Sequence, residues 1–161
     1  MLIKAIKDQF KAFLEEDPVR PNIPIHLRVG PVADVFALKD ADHPRAITCV
    51  SYQDKVPDSE SQLFISTDIP RIAVFYTIWS YRRGAGRELI METMKYIRDT
   101  RKDIVKFVTL SPHGDMAKNF HLKNGAKVYR INKDTVNYEY ASCPPCNNEC
   151  EQGRRCPARI I

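Results

Sequence analysis

The chain has 161 residues, 43% hydrophobic and 28% charged, the size and balance of one globular domain that can bury a core without disulfide or metal staples. No run approaches the ~18 apolar residues that a membrane helix needs. Residues 1–7 alternate charge with apolar side chains, unlike a signal peptide, so a cytoplasmic protein with reduced cysteines is expected. The net charge of +5 suits an anionic partner without choosing among nucleic acid, an acidic protein and a polyphosphate cofactor.

In chain order, residues 2–14 read as a helix, because Ile3, Ile6, Phe10, Phe13 and Leu14 fall at helical spacing. Pro18, Pro21 and Pro24 end that element and stiffen the connector after it. Residues 25–29, 34–38 and 46–52 read as strands, the last two joined by a hairpin loop at residues 40–44. Residues 54–61 are polar and contain Pro57, which marks a loop, and residues 63–65 read as a further short strand. Residues 72–79 form the strongest strand. They are almost continuously apolar and rich in β-branched and aromatic side chains, the pattern of a strand buried on both faces. That strand runs into Arg82-Arg83-Gly84-Ala85-Gly86, after which Leu89, Ile90, Met94 and Ile97 mark one face of a helix. Residues 105–110 read as the next strand. Residues 116–123 read as a short helix closed by Gly125, and residues 128–131 and 136–140 as a hairpin around Asn132-Lys133-Asp134. Antiparallel strands with one strand–helix–strand crossover define an α+β fold with a mixed sheet.

The expected domain covers residues 1–141, with a tail at residues 142–161 carrying Cys143, Cys146, Cys150 and Cys156 among prolines, asparagines and arginines. Four reduced cysteines so close together could hold one tetrahedral zinc. The tight spacing and the odd last gap favour a disordered coil over zinc, and disulfides are a third alternative. Cys49, inside a strand, reads as a small buried apolar residue.

A strand, a turn with two glycines and then a helix is a physical design for phosphate. The first turn of a helix offers amides without intrahelical acceptors and the positive end of a dipole. Glycine permits close approach or a positive φ. Arg82, Arg83 and Arg87 add charge to the same place. Residues 80–106 carry eight basic and four acidic side chains, a local excess of four positive charges, although a solvated helix face with i,i+4 pairs accounts for those beyond the turn. The turn lacks the Gly-Lys-Ser/Thr ending of a P-loop and the third glycine of a dinucleotide fingerprint.

Residues 75–90, FYTIWSYRRGAGRELI, resemble the coenzyme A-binding motif of the GNAT superfamily of N-acetyltransferases, in which a central strand leads through Arg/Gln-x-x-Gly-x-Gly/Ala into a helix. Gly84 and Gly86 match its two small positions, and Tyr81 stands where the family has Arg or Gln. A second segment resembles the family's Asn-x-x-Ala-x-x-Phe/Leu-Tyr-x-x-x-Gly-Phe, with Ala117, Phe120, His121, Gly125 and Ala126 on matching positions, Gly114 at the asparagine and His121 at the tyrosine. The two segments cover about one third of the chain. The sequence also resembles acetyltransferase-like proteins encoded by bacteriophages.

The resemblance implies a mostly antiparallel sheet with a central splayed strand pair and flanking helices. It also implies acetyl-coenzyme A as cofactor, and direct acetyl transfer to an amine of a small molecule or protein. Thr77, Ile78 and Trp79 would then bind pantetheine through main-chain groups. Arg82, Arg83, Gly84, Ala85, Gly86 and Arg87 would hold the pyrophosphate, and Phe120 would contact the cofactor. His121, at the tyrosine position, would donate a proton to the leaving thiolate as an imidazolium. The general base is open among His26, His43, His113, Glu60 and Asp68. His113 ranks first because it follows a strand end near the expected cleft, and Ser111 at that strand end could bond the cofactor. The departures at Tyr81, Gly114 and His121 leave a catalytically silent binding or virion protein of the same fold as an alternative. No membrane partner is expected. Nucleic acid is disfavoured, because aromatic and basic residues do not interleave.

Overall fold

The computed structural model describes residues 1–6, 9–41 and 43–142, so the four tail cysteines considered for zinc lie outside the described residues. The strands are β1 (Leu2–Lys4), β2 (Ala33–Asp40), β3 (His43–Gln53), β4 (Ile72–Ser80), β5 (Lys106–Thr109), β6 (Ser111–Pro112), β7 (Lys127–Ile131) and β8 (Thr135–Tyr140). The α-helices are α1 (Lys11–Leu14), α2 (Ile25–Arg28), α3 (Ala85–Thr100) and α4 (Asp115–Lys123), with a 3-10 turn at Glu60–Gln62. One sheet runs β1-β2-β3-β4-β5-β8-β6, with β7 also on β8. Among the described residues only β4 and β5 pair in parallel, because α3 carries the chain back between them. The expected α+β fold with a mixed, mostly antiparallel sheet is the one observed.

The central strand is buried on both faces, as its composition requires. Ala73 and Phe75 face α3, where Leu89, Ile90, Met94 and Ile97 complete one core. Val74 and Tyr76 face the other way, onto Leu14, Ile23 and Leu63 from the N-terminal segment and the β3–β4 loop.

Three expected elements differ. Residues 2–14 are not one helix: residues 2–4 pair antiparallel with β2, in register Ile3 to Ala37, and only Lys11–Leu14 is helical. A short apolar run does not distinguish strand from helix, and the open edge of β2 captured this one. Residues 25–28 are a helical turn, because Pro24 initiates it and Arg28 turns inward. Residues 63–65 form no strand. The Leu63 carbonyl accepts side-chain bonds from Ser51 and Gln53 in place of a ladder, and Phe64 packs edge-on against Tyr76.

Two features shape the functional end of the sheet. In the β3–β4 ladder Cys49 faces Thr77 and Val50 faces Phe75, so Tyr76 is the extra residue of a β-bulge. At the same level the β4–β5 ladder stops, its last pair being Phe75 with Thr109. Beyond it the two strands part, which is the expected splayed pair.

A strap over residues 17–28 lies across this opening. Its anchor is a fully buried ion pair between Arg28 Nη1 and Asp17 Oδ2, 2.7 Å apart. Asp17 Oδ1 also accepts from the Val19 and Arg20 amides and from Thr77 Oγ1. Arg28 donates to the carbonyls of Arg20 and Ile23. Removing one partner leaves the other charge buried and alone. Asp17→Ala and Arg28→Ala are each expected to lower the unfolding free energy by about 3–5 kcal/mol. The double variant should lose less than the sum, as measured by denaturant titration.

Candidate active site

The chain leaves β4 through Tyr81, Arg82 and Arg83 and enters α3 at Gly84, which sits at φ +83° in the left-handed region, where a Cβ is strained. Ala85 donates to the Arg82 carbonyl and Glu88 to the Gly84 carbonyl. Among the described residues, this leaves the Gly86 and Arg87 amides at the helix head without a backbone acceptor. Arg82, Arg83 and Arg87 are exposed around them, and Arg82 has only a 4.0 Å approach to Asp40.

Gly86 has a different reason to be glycine. A Cβ there would lie 3.2 Å from two atoms of the Phe120 ring. The two segments singled out in the sequence therefore meet, the head of α3 against the side of α4. Tyr81, at the arginine or glutamine position, turns away. Its hydroxyl accepts from Trp79 Nε1 and donates to Glu16, and its ring packs against Phe13 and His43.

Thr77 is buried, with its hydroxyl on Asp17 and its carbonyl accepting from Thr48 Oγ1. Ile78 and Trp79 pair with β3 on one side only, and their other edge faces the opening. At the mouth of the opening sits Arg20, 8% exposed. Its Nε donates to the Tyr76 carbonyl and its Nη2 to the Leu110 carbonyl, each at 2.8 Å. Its Nη1 donates to Glu60 Oε1 at 2.7 Å. Arg20 and Glu60 border a cleft of about 390 Å³ that also reaches Asp58, Lys133 and Asp134.

His121 does not match the imidazolium donor expected of it. It is 4% exposed, stacks on Tyr138, and shares a 2.7 Å hydrogen bond from Nδ1 with the Tyr140 hydroxyl. Burial lowers its pKa from the ordinary 6.5 to about 4, so the ring is neutral at physiological pH. His113 is exposed, and its Nε2–H faces two carbonyls, Asn132 at 3.0 Å and Lys133 at 3.2 Å. That nitrogen fastens the β7–β8 turn and is no free base. His26, His43 and Asp68 are exposed and do not line the cleft, whereas Glu60 does. The Ser111 hydroxyl is buried against Thr109 Oγ1.

The sequence marked neither Asp17, Arg20 nor Arg28 as functional. The available signal was three charged residues inside a proline-rich connector, where no periodicity gives them a face. Among the described residues, no three His, Cys, Asp or Glu side chains are placed to hold a metal ion, and no helix is long and apolar enough to cross a membrane.

No protein-family model and no curated protein matches the sequence. Solved structures match it in shape. A malonyl-CoA decarboxylase from Cupriavidus metallidurans superposes with a TM-score of 0.70 at 16% identity, over 88% of this chain and 61% of that one. A malonyl-CoA decarboxylase from Agrobacterium vitis gives 0.58 at 24% identity, over 74% and 35%. The GNAT domain of S. lividans PAT gives 0.61 at 14% identity, over 86% and 88%. This chain has the GNAT fold. It spans less than two thirds of the length of either decarboxylase chain. In this GNAT fold the glycine turn, the parted strands and α4 converge at one end of the sheet, while the N-terminal strap closes the other side of the opening.

The depressed His121 pKa has a consequence for stability. Between pH 6.5 and about 4 the unfolded chain binds a proton that the folded one refuses, so stability falls as pH drops through that window. The full loss attributable to this ring is on the order of 3 kcal/mol. Comparing thermal melts at pH 7.5 and pH 4.5, His121→Phe is expected to show a smaller acid destabilisation than the wild type.

Proposed function

We propose that the chain binds an acyl-coenzyme A across the head of α3 and the β4–β5 opening, and transfers the acyl group to an amine. The observation that carries this is a coincidence of three features. The bulge at Tyr76, the end of strand pairing after Phe75 and the glycine-headed helix all fall along one continuous stretch of chain. In this reading the Gly86 and Arg87 amides, with Arg82 and Arg83, hold the pyrophosphate. The free edge of Thr77, Ile78 and Trp79 takes the pantetheine, and Phe120 supports the turn from beneath. In this reading His121, neutral and buried against Tyr138 and Tyr140, donates no proton. The chemistry asked of the protein is orientation and proton handling, since the thioester is already activated.

A second reading is favoured by one observation: two of the three superpositions above are with malonyl-CoA decarboxylases, one at a TM-score of 0.70. The same site would then take a malonyl thioester. The bond to the carboxylate breaks, carbon dioxide leaves, and the α-carbon gains a proton to give the acetyl thioester.

One experiment separates these. The chain is incubated with acetyl-coenzyme A and a panel of amines, and separately with malonyl-coenzyme A alone. Amine-dependent release of free thiol is the expected result. Acetyl-coenzyme A and carbon dioxide formed from malonyl-coenzyme A, without free thiol, would establish the second reading instead. Calorimetric binding without either turnover would leave a silent binding protein, and no binding at millimolar cofactor would overturn all three.

A further inference from the structure

Arg20 connects main-chain atoms that no strand connects. Tyr76 is the bulge residue of β4, and Leu110 directly follows the last paired residue of β5. Their carbonyls point into the opening, where the sheet supplies no donor. One guanidinium satisfies both at 2.8 Å, and its planar fork sets their separation. A lysine, as a single point charge, could not hold both with the same geometry. The backbone of Arg20 is itself fixed, its amide by Asp17 and its carbonyl by Arg28.

The third arm of Arg20 holds Glu60 Oε1, while Glu60 Oε2 has no hydrogen-bond partner among the described residues. The Glu60 side chain is 49% exposed and lies in the cleft of about 390 Å³. Its carboxylate is thus anchored at one oxygen and open at the other, beside the parted strands. Asp58, Glu60 and Asp134 against Arg20 and Lys133 leave the cleft lining one negative charge in excess, which favours a cation, the form in which an aliphatic amine arrives at neutral pH.

We propose that Arg20 and Glu60 act as one unit. Arg20 is a positioning residue that fixes the width of the β4–β5 opening and orients Glu60, and Glu60 is the carboxylate that takes the proton of the attacking amine. This rests on the acyl-transfer reading. The arriving ammonium first gives one proton to Glu60 Oε2, which passes it to solvent. The neutral nitrogen then bonds to the thioester carbonyl carbon, and the C–S bond breaks with its electron pair on sulfur. The second nitrogen proton leaves through the same carboxylate to solvent, and the thiolate takes a proton from solvent.

Glu60→Gln retains the oxygen that faces Arg20 and removes the base. It is expected to bind acyl-coenzyme A within about twofold of wild type, while kcat/KM for the amine falls ~100-fold. Glu60→Asp should recover part of the rate. Arg20→Lys should raise KM for acyl-coenzyme A, lower kcat, and speed amide hydrogen exchange at Leu110, a readout independent of turnover. A Glu60→Gln enzyme with wild-type kcat/KM would overturn the role of Glu60. Unchanged KM and exchange in Arg20→Lys would overturn that of Arg20. A wild type that binds no acyl-coenzyme A, or transfers none to any amine, overturns the transfer reading and this proposal together. An active wild type with unaffected variants overturns this proposal alone.

Discussion

The buried pair of Asp17 and Arg28 is the constraint on which the functional end of the molecule depends. Two charges removed from water are tolerable only when every remaining donor and acceptor finds a partner. Here Asp17 accepts from the Val19 and Arg20 amides, the Thr77 hydroxyl and Arg28, and Arg28 reaches the carbonyls of Arg20 and Ile23. Hydrophobic residues of similar volume could supply comparable stability. They could not offer the oxygen with which Asp17 accepts from Thr77 on β4 and from the Arg20 amide. That shared oxygen ties the strap to the strand and puts Arg20 at the opening.

The opening itself comes from backbone topology. A parallel pair needs a crossover, so α3 separates β4 from β5 in sequence and presents its N-terminus where β4 ends. The bulge at Tyr76 then turns the far half of β4 away from β5. Ligands in sheets with parallel strands gather outside the carboxyl ends of those strands. The unpaired edge of β4 and the glycine turn lie at that end, and Arg20 joins the opening to the cleft that holds Glu60. The two glycines of the turn serve different ends: Gly84 allows a left-handed backbone, and Gly86 leaves room for an aromatic ring on α4.

Much of this was legible in the chain. The unbroken apolar run of β4, the helical periodicity of α3 and the glycines after Tyr81 are local signals, and each element formed where those signals lie. The first thirty residues were not legible in the same way. Leu2, Ile3 and Ile6 fit a helix as well as a strand, and the edge of β2 decided for the first two. Ile25 to Arg28 carries β-branched and apolar residues, yet Arg28 folds inward because its partner waits on a segment eleven residues earlier. His121 looked like an ordinary histidine poised near neutral pH, until burial between Tyr138 and Tyr140 made the charged form costly.

By itself, then, the sequence determined the sheet's central strand, the crossover helix and the glycine turn between them, because each depends on contacts within a few residues. Only the tertiary structure decided where the N-terminal charges go, that Phe120 explains Gly86, that His121 is neutral, and that Arg20 and Glu60 face the parted strands. These are pairings between residues up to 90 positions apart, such as Arg20 with Leu110. No local pattern encodes them. They exist because buried charges and unpaired carbonyls must be satisfied by whatever the fold brings within reach.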